Sequence, residues 1–409
     1  MKKYVIIGNS AAAIGTVQGI REVDKDGSIT IISDEKHHTY SRPLISYWLE
    51  GKVEDKNMYY REKDFYKKNN VETKLGKRVT KINNSSVVLD DGEELQYDKL
   101  MVATGSKPFV PPMEGLDKVK NKFTFMTWDS VKEIKKKVKK DTKVLIIGAG
   151  LIGLKAAEAL YHLEADITVV DLADRILPSI LDVKAGQIMQ KWIEDKGTKF
   201  ILGTSAEKFE EKSVLLKNGE TVDFDLLILA VGVRPNTELV AEAGGKVNRG
   251  IVTDLTQLTS LPNVYAAGDC TESYDISSDT EKILALLPNA FMQGEVAGKN
   301  MAGKETYYLN AIPMNAIGFY GLHIISAGSY DGEEFVQTDG TNYKKLVFKD
   351  GTLKGYILMG DVARAGIYTS LIKEQIPLDT VDMEVLKNKP QMLMFGKARR
   401  EEKLAGIYR

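Results

Sequence analysis

A single cysteine, Cys270, stands in 409 residues. One thiol forms no internal disulfide, no Cys-x-x-Cys redox pair and no all-cysteine iron–sulfur site. Histidine is almost as scarce, and His37, His38, His162 and His323 lack metal-ligand spacing, so no metal site is expected. Neither sign of charge is in surplus: 56 Lys+Arg face 57 Asp+Glu. Nucleic acid is therefore not expected as a partner, because neutralising phosphates takes a basic excess. No apolar run approaches the roughly 20 residues of a membrane-spanning helix. The opening MKKYVIIGNS holds too short an apolar stretch for a secretory signal and runs straight into a glycine turn. These absences lead us to expect a cytoplasmic protein without membrane association. Hydrophobic residues at 43% and charged residues at 28% are ordinary for a globular enzyme. At about 150 residues per domain, the length predicts two or three domains. Any redox chemistry must come from a bound organic cofactor.

What is present is a repeated grammar. Lys3–Gly8 (KYVIIG) is a short apolar run rich in β-branched residues and reads as a buried strand. It enters a turn with Gly8, Ser10, Ala11, Ala12 and Ala13, then a helix to about Arg21. A second strand, SITIIS, ends at Asp34-Glu35. The pattern returns at Lys143–Gly148 (KVLIIG), which opens a complete G-x-G-x-x-G at Gly148, Gly150 and Gly153, with Ile152 between; a helix follows, then a strand ending at Asp171. The first glycine and the acid lie 26 residues apart in one copy (Gly8 to Asp34) and 23 in the other (Gly148 to Asp171). This is the order of a dinucleotide-binding βαβ unit. Glycines permit the tight turn, the helix N-terminus offers N–H groups to a pyrophosphate, and the acid accepts from ribose hydroxyls while repelling a 2′-phosphate. Asp171 thus favours NADH, with Arg175 as a nearby counterweight. Two further apolar strands share a shape, YDKLMVATGSKP ending in Ala103-Thr104-Gly105 and FDLLILAVGVRP ending in Ala230-Val231-Gly232; NVYAAGD closes on Gly268-Asp269.

In this order the motifs resemble the two-dinucleotide flavoprotein oxidoreductases of glutathione-reductase fold, over residues 1 to about 370. The segment Tyr40-Ser-Arg-Pro-Leu-Ile-Ser46 resembles the branch that contains NADH:rubredoxin reductases, ferredoxin reductases of oxygenases, apoptosis-inducing factor and the flavin part of assimilatory nitrite reductase. The resemblance implies an α/β fold with two Rossmann-like domains, for FAD and for NAD, plus a C-terminal α+β interface domain. The implied division is 1–112 and 241–310 for FAD, 113–240 for NAD, and 311–409 for the interface domain and tail. FAD is expected at Gly8–Ala13, Asp34 or Glu35, Arg42, Pro43, Val79, Ala103, Thr104, Gly105, Gly268, Asp269 and the helix start near Asn289. NADH is expected at Gly148, Gly150, Ile152, Gly153, Asp171 and Gly232.

Departures from the family pattern narrow the chemistry. The position of a redox cysteine near residue 45 reads Leu44-Ile-Ser-Tyr47, which excludes thiol, persulfide and disulfide chemistry there. Cys270 reads as buried packing beneath the flavin. Where the branch commonly pairs a lysine with a glutamate beside the flavin, this chain has Tyr47 and Lys155. These two are the expected catalytic pair, tuning the flavin; the alternative is a surface pair of Lys155 with Glu158 at i,i+3. The run VKEIKKKVKKDTK from Val131 reads as a solvated helix or as a docking face for an acidic carrier. The tail bearing Lys397, Arg399 and Arg400 reads equally as an exposed helix or a partner contact. The expected activity is hydride transfer from NADH to FAD, then electron transfer to a small iron protein: rubredoxin, ferredoxin or an iron–sulfur subunit. The expected assembly is a monomer or homodimer. The alternatives are a flavin relay inside a larger complex, running toward NAD reduction, and a non-enzymatic flavin redox sensor.

Overall fold

The structure, a computed structural model, describes residues 1–405; of the C-terminal tail, 406–409 lie outside the described residues. The chain divides into two compact units: 1–177 with 194–273 and 281–309, and 178–193 with 274–280 and 310–409.

In the first unit, β1 (Lys3–Ile7), α1 (Ala11–Val23) and β2 (Ser28–Ser33) form a parallel βαβ unit, followed by α2 (Leu44–Leu49), β3 (Val71–Leu75) and β4 (Lys99–Val102). Next come β5 (Lys122–Thr124), α3 (Trp128–Lys137), β6 (Lys143–Ile147), α4 (Leu151–Tyr161), β7 (Asp166–Asp171), β8 (Lys199–Leu202) and β9 (Leu226–Leu229). The last two elements are β10 (Val264–Ala266) and α5 (Leu287–Ala302). Two five-stranded parallel sheets result, β10-β4-β1-β2-β3 and β5-β9-β6-β7-β8. Their central strands are apolar on both faces: Tyr4–Ile7 and Val144–Ile147 are all buried, as parallel sheets require.

The sheets repeat one hydrogen-bonding plan. Gly8 donates to Ile32 and Gly148 to Val170; Ala103 donates to Ile7 and Ala230 to Ile147, each N–H···O at 2.8 Å. The register equates Gly8 with Gly148, Ala103 with Ala230, and Ser33 with Asp171.

Helix α1 packs on α5 closely enough to need glycine on both. A Cβ on Gly15 would stand 2.2 Å from the carbonyl oxygen of Phe291, and one on Gly294 2.0 Å from that of Ala12. Gly19 and Gly298 approach the facing backbone as closely, and Ala13, Ala290 and Ala297 are buried in the same core.

The second unit holds an antiparallel sheet of β11 (Met314–Phe319), β12 (Leu322–Gly328), β13 (Glu333–Asp339), β14 (Asn342–Lys349) and β15 (Thr352–Met359), ordered β11-β12-β15-β14-β13, with α6 (Ala365–Lys373) against it. Leu346, Tyr356, Leu358, Tyr368 and Leu371 build its core. Segment 178–193 packs here: Tyr343 donates to Asp182 at 2.5 Å, and the Trp192 indole to the carbonyl of Tyr320 at 3.2 Å. No helix among the described residues is long and apolar enough to cross a membrane.

Candidate functional site

The second glycine turn divides its labour among three residues. Gly148 has φ +115°, and a Cβ there would meet the Ala230 carbonyl oxygen at 2.3 Å. A Cβ on Gly153 would stand 1.9 Å from the carbonyl oxygen of Gly148, so this glycine lets α4 sit on its own turn. Around Gly150 there is open space, with nothing within 4 Å of a Cβ, and the same holds for Gly232 at φ +107°. Those are the positions where a ligand can come up to the backbone, at a helix N-terminus that favours anions. Ile152 is half-buried on the first turn. Asp171 ends β7, its carboxylate accepting from the N–H of Ala149 at 2.5 Å and of Ala173 at 2.7 Å, which fixes it beside the turn. Arg175 pairs with Asp174 at 3.1 Å.

The first turn keeps the tight glycine: Gly8 has φ +112°, and a Cβ would meet the Ala103 carbonyl oxygen at 2.1 Å. Ser10 stands at the N-cap of α1, but its hydroxyl makes no capping bond; Ala11, Ala12 and Ala13 are buried behind it. Gly105, at φ +63°, again faces open space. The acid at the end of β2 needs distinguishing. Ser33 occupies the register position of Asp171. The Asp34 side chain is 61% exposed and lies 3.6 Å from Arg78. Glu35, at 22%, turns into a pocket with Asn9, Ser10, His38, Tyr40 and Arg42, where it pairs with Arg42 and accepts from the Tyr40 hydroxyl at 2.7 Å. The Nε2 of His38 is buried there without a hydrogen-bond partner, a polar atom that a bound nucleotide can satisfy.

Arg42 is half-buried, and its partial desolvation opposes its charge, but Tyr40 and Glu35 outweigh this and hold its pKa up. Burial pushes the Asp269 carboxyl above the usual carboxylate range, partly countered by a hydrogen bond from Ser106 and by Arg42. Ligand hydroxyls are the donors such a carboxylate lacks. The Gly268 N–H donates to the Gln293 side chain of α5 at 2.9 Å, which fixes the turn carrying Asp269. Asn289, on the first turn of α5, is buried and accepts from the Tyr308 hydroxyl at 2.8 Å. Pro43 is the exposed N-cap of α2. Val79 is buried in the core against Val87 and Leu89. Cys270 is buried at 0% exposure, its thiol 3.3 Å from the Ala267 carbonyl, and burial pushes its pKa up to about 11.

The two turns are tied together. Ser106–Pro108 pairs antiparallel with Val233–Pro235, Phe109 donates to the carbonyl of Gly232 and Asn236 to that of Gly105, both at 2.9 Å. The Thr104 hydroxyl donates to the Asn236 carbonyl at 2.7 Å. Both open glycines, Gly105 and Gly232, therefore flank one clasp. Nearby, α2 packs on α4. The Lys155 ammonium lies 4.8 Å from the Tyr47 ring centroid and 2.6 Å from Glu158. The i,i+3 pair exists, yet it is not on the surface: the side chains of Lys155 and Glu158 are 14% and 7% exposed. Glu50 adds a second shielded carboxylate, 2.6 Å from Lys52 and 4.0 Å from His162.

Sequence reasoning did not single out His38, Gln293, Asn236 or Glu50. Only Asn236 left a signal, one residue beyond the paired Val-Arg-Pro; the others reach the site through packing.

Two glycine turns at helix N-termini on two parallel sheets, one clasp between them and a half-buried acid-and-arginine pocket make a frame suited to two dinucleotides. The chain belongs to the family described as pyridine nucleotide-disulphide oxidoreductase, matched over residues 2–294, and residues 313–376 match the rubredoxin NAD+ reductase C-terminal domain. It is thus an FAD- and NAD(H)-binding oxidoreductase, and the open glycines, Asp171, His38 and Asp269 suit those cofactors. It is 32% identical over 402 residues to a nitrite reductase [NAD(P)H] of Bacillus subtilis, covering 94% of this chain but 49% of that protein. It is 30% identical over 401 residues to the NADH-dependent phenylglyoxylate dehydrogenase subunit epsilon of Aromatoleum evansii, covering 94% and 95%. The chain thus spans about half of the first relative and nearly all of the second. The NADH:rubredoxin oxidoreductase structure from Clostridium acetobutylicum superposes with TM-score 0.77 at 25% identity, over 95% of this chain and 99% of that one.

Proposed function

We propose that the chain oxidises NADH through FAD and delivers the electrons to a small iron protein. The observation that carries this is the clasp: it joins two dinucleotide turns in a chain whose one thiol is locked in the core, so electrons need an acceptor from outside. The match to a rubredoxin reductase C-terminal domain supports an iron protein in that role. FAD, when bound, supplies hydride acceptance and one-electron release. The chain's part is placement. In our reading, residues 1–112 and 241–310 hold the flavin and 113–240 the nicotinamide nucleotide. Backbone N–H groups at Gly148–Gly153 bind the NADH pyrophosphate and Asp171 its ribose. Glu35, rather than Asp34, would hold the FAD ribose and Asp269 the ribityl hydroxyls, and the N-terminus of α5 would favour negative charge on the flavin. Lys155 and Tyr47 set the electrostatics at the nicotinamide side, with Glu158 holding the lysine.

Anaerobic addition of NADH should bleach the bound flavin within seconds, and rubredoxin or ferredoxin should restore its colour; a flavin that NADH leaves oxidised refutes the reading. Lys155→Met should slow flavin reduction about tenfold and lower the flavin potential, with folding intact. An unchanged rate and potential would confine Lys155 to a structural ion pair. A second reading, a flavin relay fixed in a larger complex, is favoured by the full-length match to a dehydrogenase subunit; co-purification of other subunits in fixed ratio would select it.

A further inference from the structure

The α3 region concentrates charge that the chain elsewhere balances. Residues 128–143 carry seven lysines against Asp129, Glu133 and Asp141, in a chain of net charge −1. Trp128, Val131 and Ile134 bury one face of α3, leaving Lys135, Lys136 and Lys137 exposed. Some of this charge is spent locally: Lys136 lies 2.5 Å from Glu133 and Lys140 3.0 Å from Glu164. Among the described residues, Lys135, Lys137 and Lys139 have no carboxylate partner. A depression of about 490 Å³ lies here, lined by Trp48, Asp129, Lys132, Glu133, Lys135 and Lys136. Trp48 of α2 forms its aromatic floor, with the Lys135 ammonium 4.3 Å from its ring centroid.

This depression connects to the flavin-side pocket through packed rings. The Arg42 guanidinium lies 5.3 Å from the Tyr40 ring, Tyr40 and Trp128 are 5.7 Å apart between centroids, and Trp128 and Trp48 6.1 Å. A tryptophan rimmed by cations, linked through buried rings to a cofactor pocket, has the make-up of an electrostatically steered protein interface. Asp129 and Glu133 within it disfavour a polyanion such as nucleic acid, while a folded partner with discrete carboxylates can avoid them.

We propose that the Trp48–α3 face docks the acidic surface of the small iron protein that receives the electrons. This rests on the functional reading above and adds the place of contact. The test compares wild-type holoenzyme with Lys135→Glu/Lys137→Glu/Lys139→Glu, using a rubredoxin, a [2Fe–2S] ferredoxin and ferricyanide as acceptors. With ferricyanide the two should agree within about twofold, showing fold and flavin reduction intact. With the iron protein that wild type reduces, kcat/KM should fall at least about tenfold in the variant and lose most of its salt dependence. Equal kcat/KM and an equal salt slope would overturn the docking face and leave the functional reading standing. A wild type that reduces ferricyanide but neither iron protein would remove the functional reading, and the docking face with it. A change of oligomeric mass in the variant, with iron-protein reduction unaltered, would assign the face to a second copy and also overturn the proposal.

Discussion

The two dinucleotide repeats share a backbone plan but spend their glycines differently. In the second, Gly148 and Gly153 serve contacts within the repeat, and Gly150 is left open to a ligand. In the first, Gly8 keeps the turn, Ser10 and Ala13 replace the other two, and glycine reappears at Gly15 and Gly19 for the crossing with α5. The fifth strand of each sheet also has a different source: β10 comes from residues 264–266, far downstream, whereas β5 directly precedes its repeat at 122–124. The first repeat is therefore completed by chain that returns after the second has been made. The lesson is that a degenerate glycine motif need not be a weakened one, since close packing can move the requirement for glycine along the helix.

The sharpest way to break this contrast is Gly15→Val against Gly150→Ala. The first forces a Cβ into the Phe291 backbone; it should destabilise the protein by about 3 kcal/mol and yield flavin-poor material, read by melting temperature and flavin content. The second should fold and hold FAD normally, with KM for NADH raised about tenfold by crowding of the pyrophosphate. Equal stability of the two variants would refute the division of labour.

The acids that close the repeats give the next effect. Asp171→Ala should cost about tenfold in kcat/KM for NADH, within the worth of a hydrogen bond to a charged group, and little for NADPH, narrowing the preference. In the first repeat, Glu35→Gln should raise the FAD dissociation constant about tenfold and Asp34→Asn less than about twofold, by titration of apoprotein. The reverse order would restore Asp34 to the role that chain order suggests.

The smallest effect is expected at Cys270. Cys270→Ser should keep NADH oxidation with ferricyanide within about threefold, and the native thiol should resist alkylation at pH 9. Burial raises the thiol from an ordinary 9.0 to about 11. Its contribution to stability is thus fully present below pH 9 and lost as pH rises through 11, because the unfolded thiol ionises first. Rapid labelling of folded protein at pH 9 would contradict this.

Much of this was readable from residues alone. Both βαβ units and the strand ends at Gly105 and Gly232 follow from local periodicity and turn chemistry, which are properties of neighbouring residues. The sequence also shows that ATGSKP and AVGVRP share a shape, but not that they pair with each other, because their register depends on contacts across more than a hundred residues. Asp34 stood out from Glu35 as the first acid after the strand; the β1–β2 register, which makes Ser33 the counterpart of Asp171, is a tertiary fact. Lys155 and Glu158 could be matched by helical spacing, whereas their burial comes from α2, carrying Tyr47, lying across them.

The clasp also has a bearing on modularity. The chain leaves the first repeat at Ser106–Pro108 and comes back at Val233–Pro235, and these strands are hydrogen-bonded neighbours, about 5 Å apart. The chain of the second repeat thus enters and leaves at two adjacent points, as a loop does at a hairpin stem, although its residues 178–193 pack on the antiparallel sheet. An insertion whose ends already meet adds little closure entropy to its host, and such sites tolerate exchange of the inserted domain. The clasp is thereby the point where the inserted chain joins its host, and an exchange made there must also rebuild the packing of α2 on α4 and the bond of Tyr343 to Asp182.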